Sequence, residues 1–117
     1  MNYQKMIVWQ KAMNLTEAVY SVIWRLPLAE QFALSTQMRR SVISIPSNIA
    51  EGAGRNTDKD LRHFLTVARG SATELETQLI ICKRLNYLHS DIVEPLLQLL
   101  DEIRRMLSVL IKNGQIS

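Results

Sequence analysis

The chain has 117 residues, 47 % of them hydrophobic but only 6 % aromatic, with four glycines, three prolines and a formal charge of +3. That length fits one domain, and an aliphatic, glycine-poor composition favours packed helices over a sandwich or barrel. A single cysteine, Cys82, excludes a disulfide framework and a multi-cysteine zinc site. No apolar run reaches the ~18 residues of a membrane span, and MNYQKMIVWQ lacks a basic-then-apolar export pattern, so a cytoplasmic protein without a membrane partner is expected.

Helix one is predicted from Ile7 to about Arg25. Val8, Ala12, Leu15, Val19, Val22 and Leu26 alternate four and three residues apart, as a heptad seam does. Leu26-Pro27 ends it, because the residue before a proline is pushed out of the α region. Beside the seam runs a second apolar stripe, Trp9, Met13, Tyr20 and Trp24. A bundle helix needs one apolar face, so the extra width predicts a contact between protomers of an oligomer. The alternative is that Trp9 and Trp24 cover the ends of the bundle.

Helix two is predicted from about Ala33 to Ala53, on the spacing of Leu34, Met38, Val42, Ile45 and Ile49. Pro46 falls in its middle, where it removes a backbone hydrogen bond and crowds the preceding turn at a cost of ~3 kcal/mol. A kink is therefore expected, with the hydroxyls of Ser41, Ser44 and Ser47 near enough to satisfy freed backbone groups. Gly52 and Gly54 supply the helix stop.

Helix three has the cleanest seam: Leu61, Leu65, Ala68, Ala72, Leu75, Leu79 and Cys82, between an N-cap at Thr57 and an end near Asn86. Gly70-Ser71-Ala72 forms a small patch that predicts close approach of a neighbouring helix. Glu74 or Glu76 is placed to face Arg39 or Arg40 across the bundle. Helix four follows from a cap at Ser90 to a stop at Asn113-Gly114, with Leu96, Leu100, Ile103, Leu107 and Leu110 inside and Pro95 near the first turn. Short connections then give an all-α, antiparallel up-down-up-down four-helix bundle with a Pro-kinked second helix, one domain over residues 1–117.

The cations are unevenly placed. Arg55, Lys59, Arg62 and Arg69 share one stripe of helix three and its approach, and Arg39 and Arg40 add two more on helix two. A stripe of this kind can follow the phosphates of a nucleic acid, releasing counterions as it does so. It can equally be a solvated face partnered by Glu51, Asp58 and Asp60, and both readings stay open on the residues alone.

Catalytic and metal signals are weak. His63 and His89 have no second ligand at helical spacing, and the lone Gly52-Ala-Gly54 lacks the strand-turn-helix context of a phosphate loop. No cofactor motif is present, and Cys82 sits on a core seam. Arg84 and His89 meet the loose Arg-x4-His spacing of bundle ribonucleases of the HEPN superfamily, but Leu85 stands where those enzymes carry a polar residue.

VWQKAMNLTEAVY at Val8–Tyr20, QMRRSVISIPSNIAEGAGR at Gln37–Arg55, FLTVARGSATELETQL at Phe64–Leu79 and LNYL at Leu85–Leu88 together span most of the chain. In combination they resemble the four-helix-bundle family encoded in the intervening sequences of bacterial 23S rRNA genes. A related branch is the accessory protein of diversity-generating retroelements. That resemblance implies a homopentamer of four-helix protomers that binds nucleic acid and a reverse transcriptase. The expected function is a non-enzymatic, RNA-binding adaptor; a protein-binding scaffold and a HEPN-like ribonuclease are the alternatives.

Overall fold

Four amphipathic segments form four helices, and short turns tie them in sequence. The protein is seen here as a computed structural model that describes residues 2–114. Its helices are α1 (Ile7–Ile23), α2 (Leu34–Ala53), α3 (Asp58–Arg84) and α4 (Ser90–Asn113), with 3-10 turns at Tyr3–Lys5 and Leu28–Glu30. At about 1.5 Å per residue α3 is about 40 Å long, close to the 44 Å long axis of the molecule.

Paired contacts show the direction of each helix. Along α1 and α2, Ile23 meets Ser35 and Thr16 meets Val42. Along α2 and α3, Met38 meets Cys82 and Ser44 meets Ser71, while Gly52 lies against Leu61 and Phe64. Along α3 and α4, Arg62 reaches Ile111, Glu76 holds Arg104 and Lys83 holds Glu94. In every series one number rises as the other falls, so sequential helices are antiparallel. Helices α1 and α4 close the ring, joined at the surface by Lys11 and Glu102.

The predicted seams form the core, with Leu34 and Leu110 only partly buried and with one drift. Val8, Ala12, Leu15 and Val19 are buried, but the next buried residue of α1 is Ile23 rather than Val22. A straight helix of 3.6 residues per turn slips about 20° per heptad, so after two heptads the inward face is shared between Val22, half-buried, and Ile23.

The ends of the helices differ from expectation in three places. Thr57 caps α3 as predicted, its Oγ1 accepting from the Asp60 amide at 3.1 Å. Helix α4, however, is capped by His89 and not Ser90: Nδ1 of His89 accepts from the Asp91 amide at 3.1 Å, which leaves Ser90 as the first helical residue. Helix α3 ends at Arg84, two residues early, because Asn86 takes a left-handed conformation (φ 59°) that turns the chain back on itself. Gly52 is not a stop signal. It is buried within α2, where a β-carbon would lie 3.2 Å from Cβ of Phe64, so its lack of a side chain lets the start of α3 pack close.

Helix α2 is continuous through Pro46, which is itself buried. The carbonyl that Pro46 cannot serve is that of Val42, four residues back. The serines predicted to compensate make no hydrogen bond to it. Ser44 is hydrogen-bonded to Ser71 and to Asn48. It is Thr16 of α1 whose Oγ1 approaches Val42 O, at 3.5 Å, while also donating to Ala12 O at 2.8 Å.

Candidate nucleic-acid interface

Helix α3 lies between two grooves, one shared with α4 and one with α2. The α3/α4 groove has a volume of about 630 Å³ and is lined by Thr66, Arg69, Gly70 and Thr73 from one side and Arg104, Arg105 and Ser108 from the other. Arg69 donates to Ser108 Oγ at 3.3 Å. Arg104 is held by a two-pronged bond to Glu76 at 2.6 and 3.1 Å, and Arg105 by Asp101 at 2.9 Å. Arg105 is exposed and Arg69 and Arg104 are half-buried; a guanidinium carries five N–H donors, so each retains donors beyond those used here, which suits them to phosphate.

Arg62 lies one turn beyond the groove, and Lys112 shares the α4 face two turns on from Arg105. Five cations thus meet two carboxylates, Glu76 and Asp101, between Arg62 and the middle of the groove. That local excess equals the formal +3 of the whole chain. Composition does not show this concentration, because the remaining nine cations and nine carboxylates cancel.

The predicted stripe is divided by the structure. Arg62 and Arg69 flank α4 as one group. Arg62 also acts structurally, because its Nε donates to the Ile111 carbonyl at 2.9 Å and so satisfies the open end of α4. Arg55 lies apart, paired with Glu51 at 2.8 Å and stacked 4.6 Å over the ring of Phe64. Lys59 is exposed and makes no ion pair among the described residues. Arg40 lines the opposite groove, with α2, and Arg39 does not line either. Of the two acids expected to face Arg39 or Arg40, Glu74 lines the same groove as Arg40 without an ion pair to it, whereas Glu76 turns to Arg104.

Sequence reading did not single out Arg104 and Arg105. Their signal was a pair of adjacent arginines between the seam residues Ile103 and Leu107, and it was masked by the acids at Asp101 and Glu102.

Gly70 departs from expectation most. Ser71 and Ala72 are buried towards α2, but a β-carbon on Gly70 would meet nothing within 4 Å. No helix packs closely there. Its φ is also an ordinary helical one, so neither packing nor backbone explains a residue that costs about 1 kcal/mol against alanine in a helix interior.

The aromatic stripe of α1 also separates into two parts. Trp9 and Met13 are half-buried and line a groove with Ile43, Pro46 and Ala50 of α2, with Tyr3 set edge-on to Trp9 at 5.4 Å. Tyr20 and Trp24 stay exposed, and beyond Trp24 the chain exposes Leu28 and Phe32, at 83 % and 90 %.

Arg84 lies outside the pocket lined by His89, Lys83, Asn86 and Ser90, and His89 Nδ1 is engaged as a helix cap. Cys82 is fully buried, and burial together with the charge of Glu30 pushes its thiol up to about 11. It is a core residue in contact with Met38. Among the described residues no group of three His, Cys, Asp or Glu can hold a metal, and no helix is long and apolar enough to cross a membrane.

A family profile described as 23S rRNA-intervening sequence protein matches residues 4–109. Among curated proteins none matches the chain. One similar solved structure is a protein of unknown function from the S23 ribosomal protein family of Bacteroides thetaiotaomicron. It is 28 % identical, superposes with a TM-score of 0.84, and the match covers 91 % of this chain and 99 % of that one. With a profile that spans nearly all of its four helices, this chain belongs to the 23S rRNA-intervening sequence protein family.

Proposed function

We propose that this protein is a non-enzymatic RNA-binding adaptor of the cytoplasm, acting as a basic homo-oligomer. The observation that carries this reading is the concentration of arginine on the α3/α4 flank, where Arg69, Arg104 and Arg105 line one groove with hydroxyl groups between them. Guanidinium and hydroxyl donors in a line suit a phosphodiester backbone, whose neutralisation releases counterions. Resemblance to the retroelement accessory protein adds two further elements: a pentamer as the favoured assembly and a reverse transcriptase as partner. Five protomers would present five such grooves, so modest affinity per groove becomes substantial through effective concentration.

Replacing Arg69 and Arg105 by glutamine tests the site, because each makes only a surface contact and folding should survive. Affinity for a mixed-sequence single-stranded RNA is measured from low to moderate salt. The double variant is expected to lose roughly 0.7 from the log–log salt slope for each phosphate contact removed. Coincident slopes for variant and wild type would show that this flank is only a solvated face.

A protein-binding scaffold is favoured by a different observation: Trp24, Leu28 and Phe32 expose apolar surface at the α1–α2 end of the bundle. Failure to bind any RNA, together with retained assembly, would leave that reading in place.

A further inference from the structure

The aromatic stripe of α1 becomes two surfaces of opposite shape. Near the start of α1, Tyr3, Trp9 and Met13 face Ile43, Pro46 and Ala50 of α2 across a groove of about 340 Å³. Trp9 and Met13 are only half-buried there and Ile43 is 43 % exposed, so the groove presents carbon to water. Past the end of α1, Trp24, Leu28 and Phe32 form a knob, exposed by 66, 83 and 90 %. Trp9 and Trp24 lie about 22 Å apart along the helix, at about 1.5 Å per residue, so knob and groove cannot meet within one protomer.

We infer that the knob of one protomer docks in the α1/α2 groove of a second copy of this chain. This rests on the homo-oligomer reading above and names the surfaces that meet. Each surface is what the other needs: a concave apolar one with room for a large side chain, and a convex one with large side chains to fill it. At ~150–250 Å² for a buried aromatic side chain, Trp24 and Phe32 with Leu28 bury roughly 400 Å² on docking. An equal area of groove brings one contact to roughly 800 Å², below the ~1,000 Å² of a lone stable interface. A single contact is therefore weak. Each protomer carries both halves, however, and engages one neighbour through its knob and another through its groove. That head-to-tail arrangement doubles the area buried per protomer, and it forms a ring when the rotation closes. A contact of two knobs would instead leave both grooves open to water. Knob and groove belong to α1, α2 and the turn between them, so assembly leaves the arginine groove of α3 and α4 uncovered.

Two double variants separate the halves. Leu28→Ser with Phe32→Ser removes the knob at exposed positions, and Ile43→Glu with Ala50→Glu charges the groove while keeping helix propensity. Sedimentation equilibrium should show each as a monomer of 13.4 kDa at concentrations where wild type assembles. An equimolar mixture of the two, at hundreds of micromolar, should give a species of twice that mass and nothing larger, since each pair of chains retains one intact knob and one intact groove. Phe32→Ala alone, which disturbs no buried contact, should weaken wild-type assembly by about tenfold. Assembly of either double variant alone, a mixture that stays monomeric or grows beyond the pair, or unchanged assembly in Phe32→Ala overturns this contact while the homo-oligomer reading stands. A monomeric wild type overturns both and leaves the two surfaces to a different protein.

Discussion

Arg62, near the start of α3, closes the far end of α4. Its Nε donates to the Ile111 carbonyl at 2.9 Å, and its guanidinium occupies the space beside Gly114, where a β-carbon would lie 2.5 Å from Nη2. Gly114 has φ +65°, so the helix ends in a left-handed residue and an arginine from another helix seals it.

Gly114→Ala is therefore expected to destabilise the protein by about 1–2 kcal/mol, from the left-handed backbone alone, and to displace Arg62. Arg62→Gln should cost about 1 kcal/mol by freeing the carbonyl of Ile111. Because both changes act at one place, the double variant should lose less than the two losses combined. Urea unfolding of the four proteins measures this; strict additivity would mean that Arg62 does not act on the end of α4.

The Val42 carbonyl provides a second cycle. Thr16→Val removes the hydroxyl that approaches it and should cost about 0.5–1 kcal/mol, the contact being long at 3.5 Å. In a Pro46→Ala background residue 46 has its own N–H for Val42 O, so Thr16→Val should cost less there. Equal losses in both backgrounds would show that Thr16 contributes only through Ala12.

Pro46→Ala by itself should remain helical by circular dichroism. If the proline sets the path of α2 along the groove of Trp9 and Met13, assembly should weaken by about tenfold, or 1.4 kcal/mol. Unchanged assembly and unchanged RNA affinity would leave Pro46 without a functional role.

Alkaline pH should destabilise the fold. Native Cys82 holds its proton up to about 11 against an ordinary value of 9.0, first because it is buried and second because Glu30 is nearby. Between those values the unfolded chain has released a proton that the native protein retains, so stability falls as pH rises through the window, by of order 1–3 kcal/mol. Tyr87, raised chiefly by its bond to Glu30 at 3.0 Å, acts in the same direction above its ordinary value. Cys82→Ala should flatten the decline between pH 9 and 11. An identical slope in that variant would show that other groups cause it.

Assembly is tested by sedimentation equilibrium at tens of micromolar. A closed ring, five protomers being favoured, is expected. A single species near 13.4 kDa would sink it.

The seams were legible in the sequence because burial in a bundle follows helical spacing, and that spacing needs no knowledge of partners. Thr57, Cys82 and the stop at Gly114 were legible for the same local reason. What could not be read was which neighbour a surface side chain would choose. Arg62, Arg69 and Arg55 share a stripe by spacing, yet one seals a helix end, one reaches Ser108 and one stacks on Phe64, because those partners lie 49, 39 and 9 residues away in the chain. Glu74 or Glu76 was expected to face Arg39 or Arg40; Glu74 shares a groove with Arg40, and Glu76 projects towards α4 and meets Arg104. His89 took the cap assigned to Ser90 because an imidazole nitrogen accepts an amide as well as a hydroxyl does.

The connection between α1 and α2 has one more consequence. The amide of Gln31 reaches the carbonyls of Ile23, Trp24 and Leu26, at 3.2, 3.3 and 2.9 Å, and so holds the turn against the end of α1. Leu28 and Phe32 are therefore displayed on a segment whose conformational freedom was already surrendered during folding. A partner that covers them need not freeze a loop, and the free energy otherwise lost to immobilising backbone stays available as affinity.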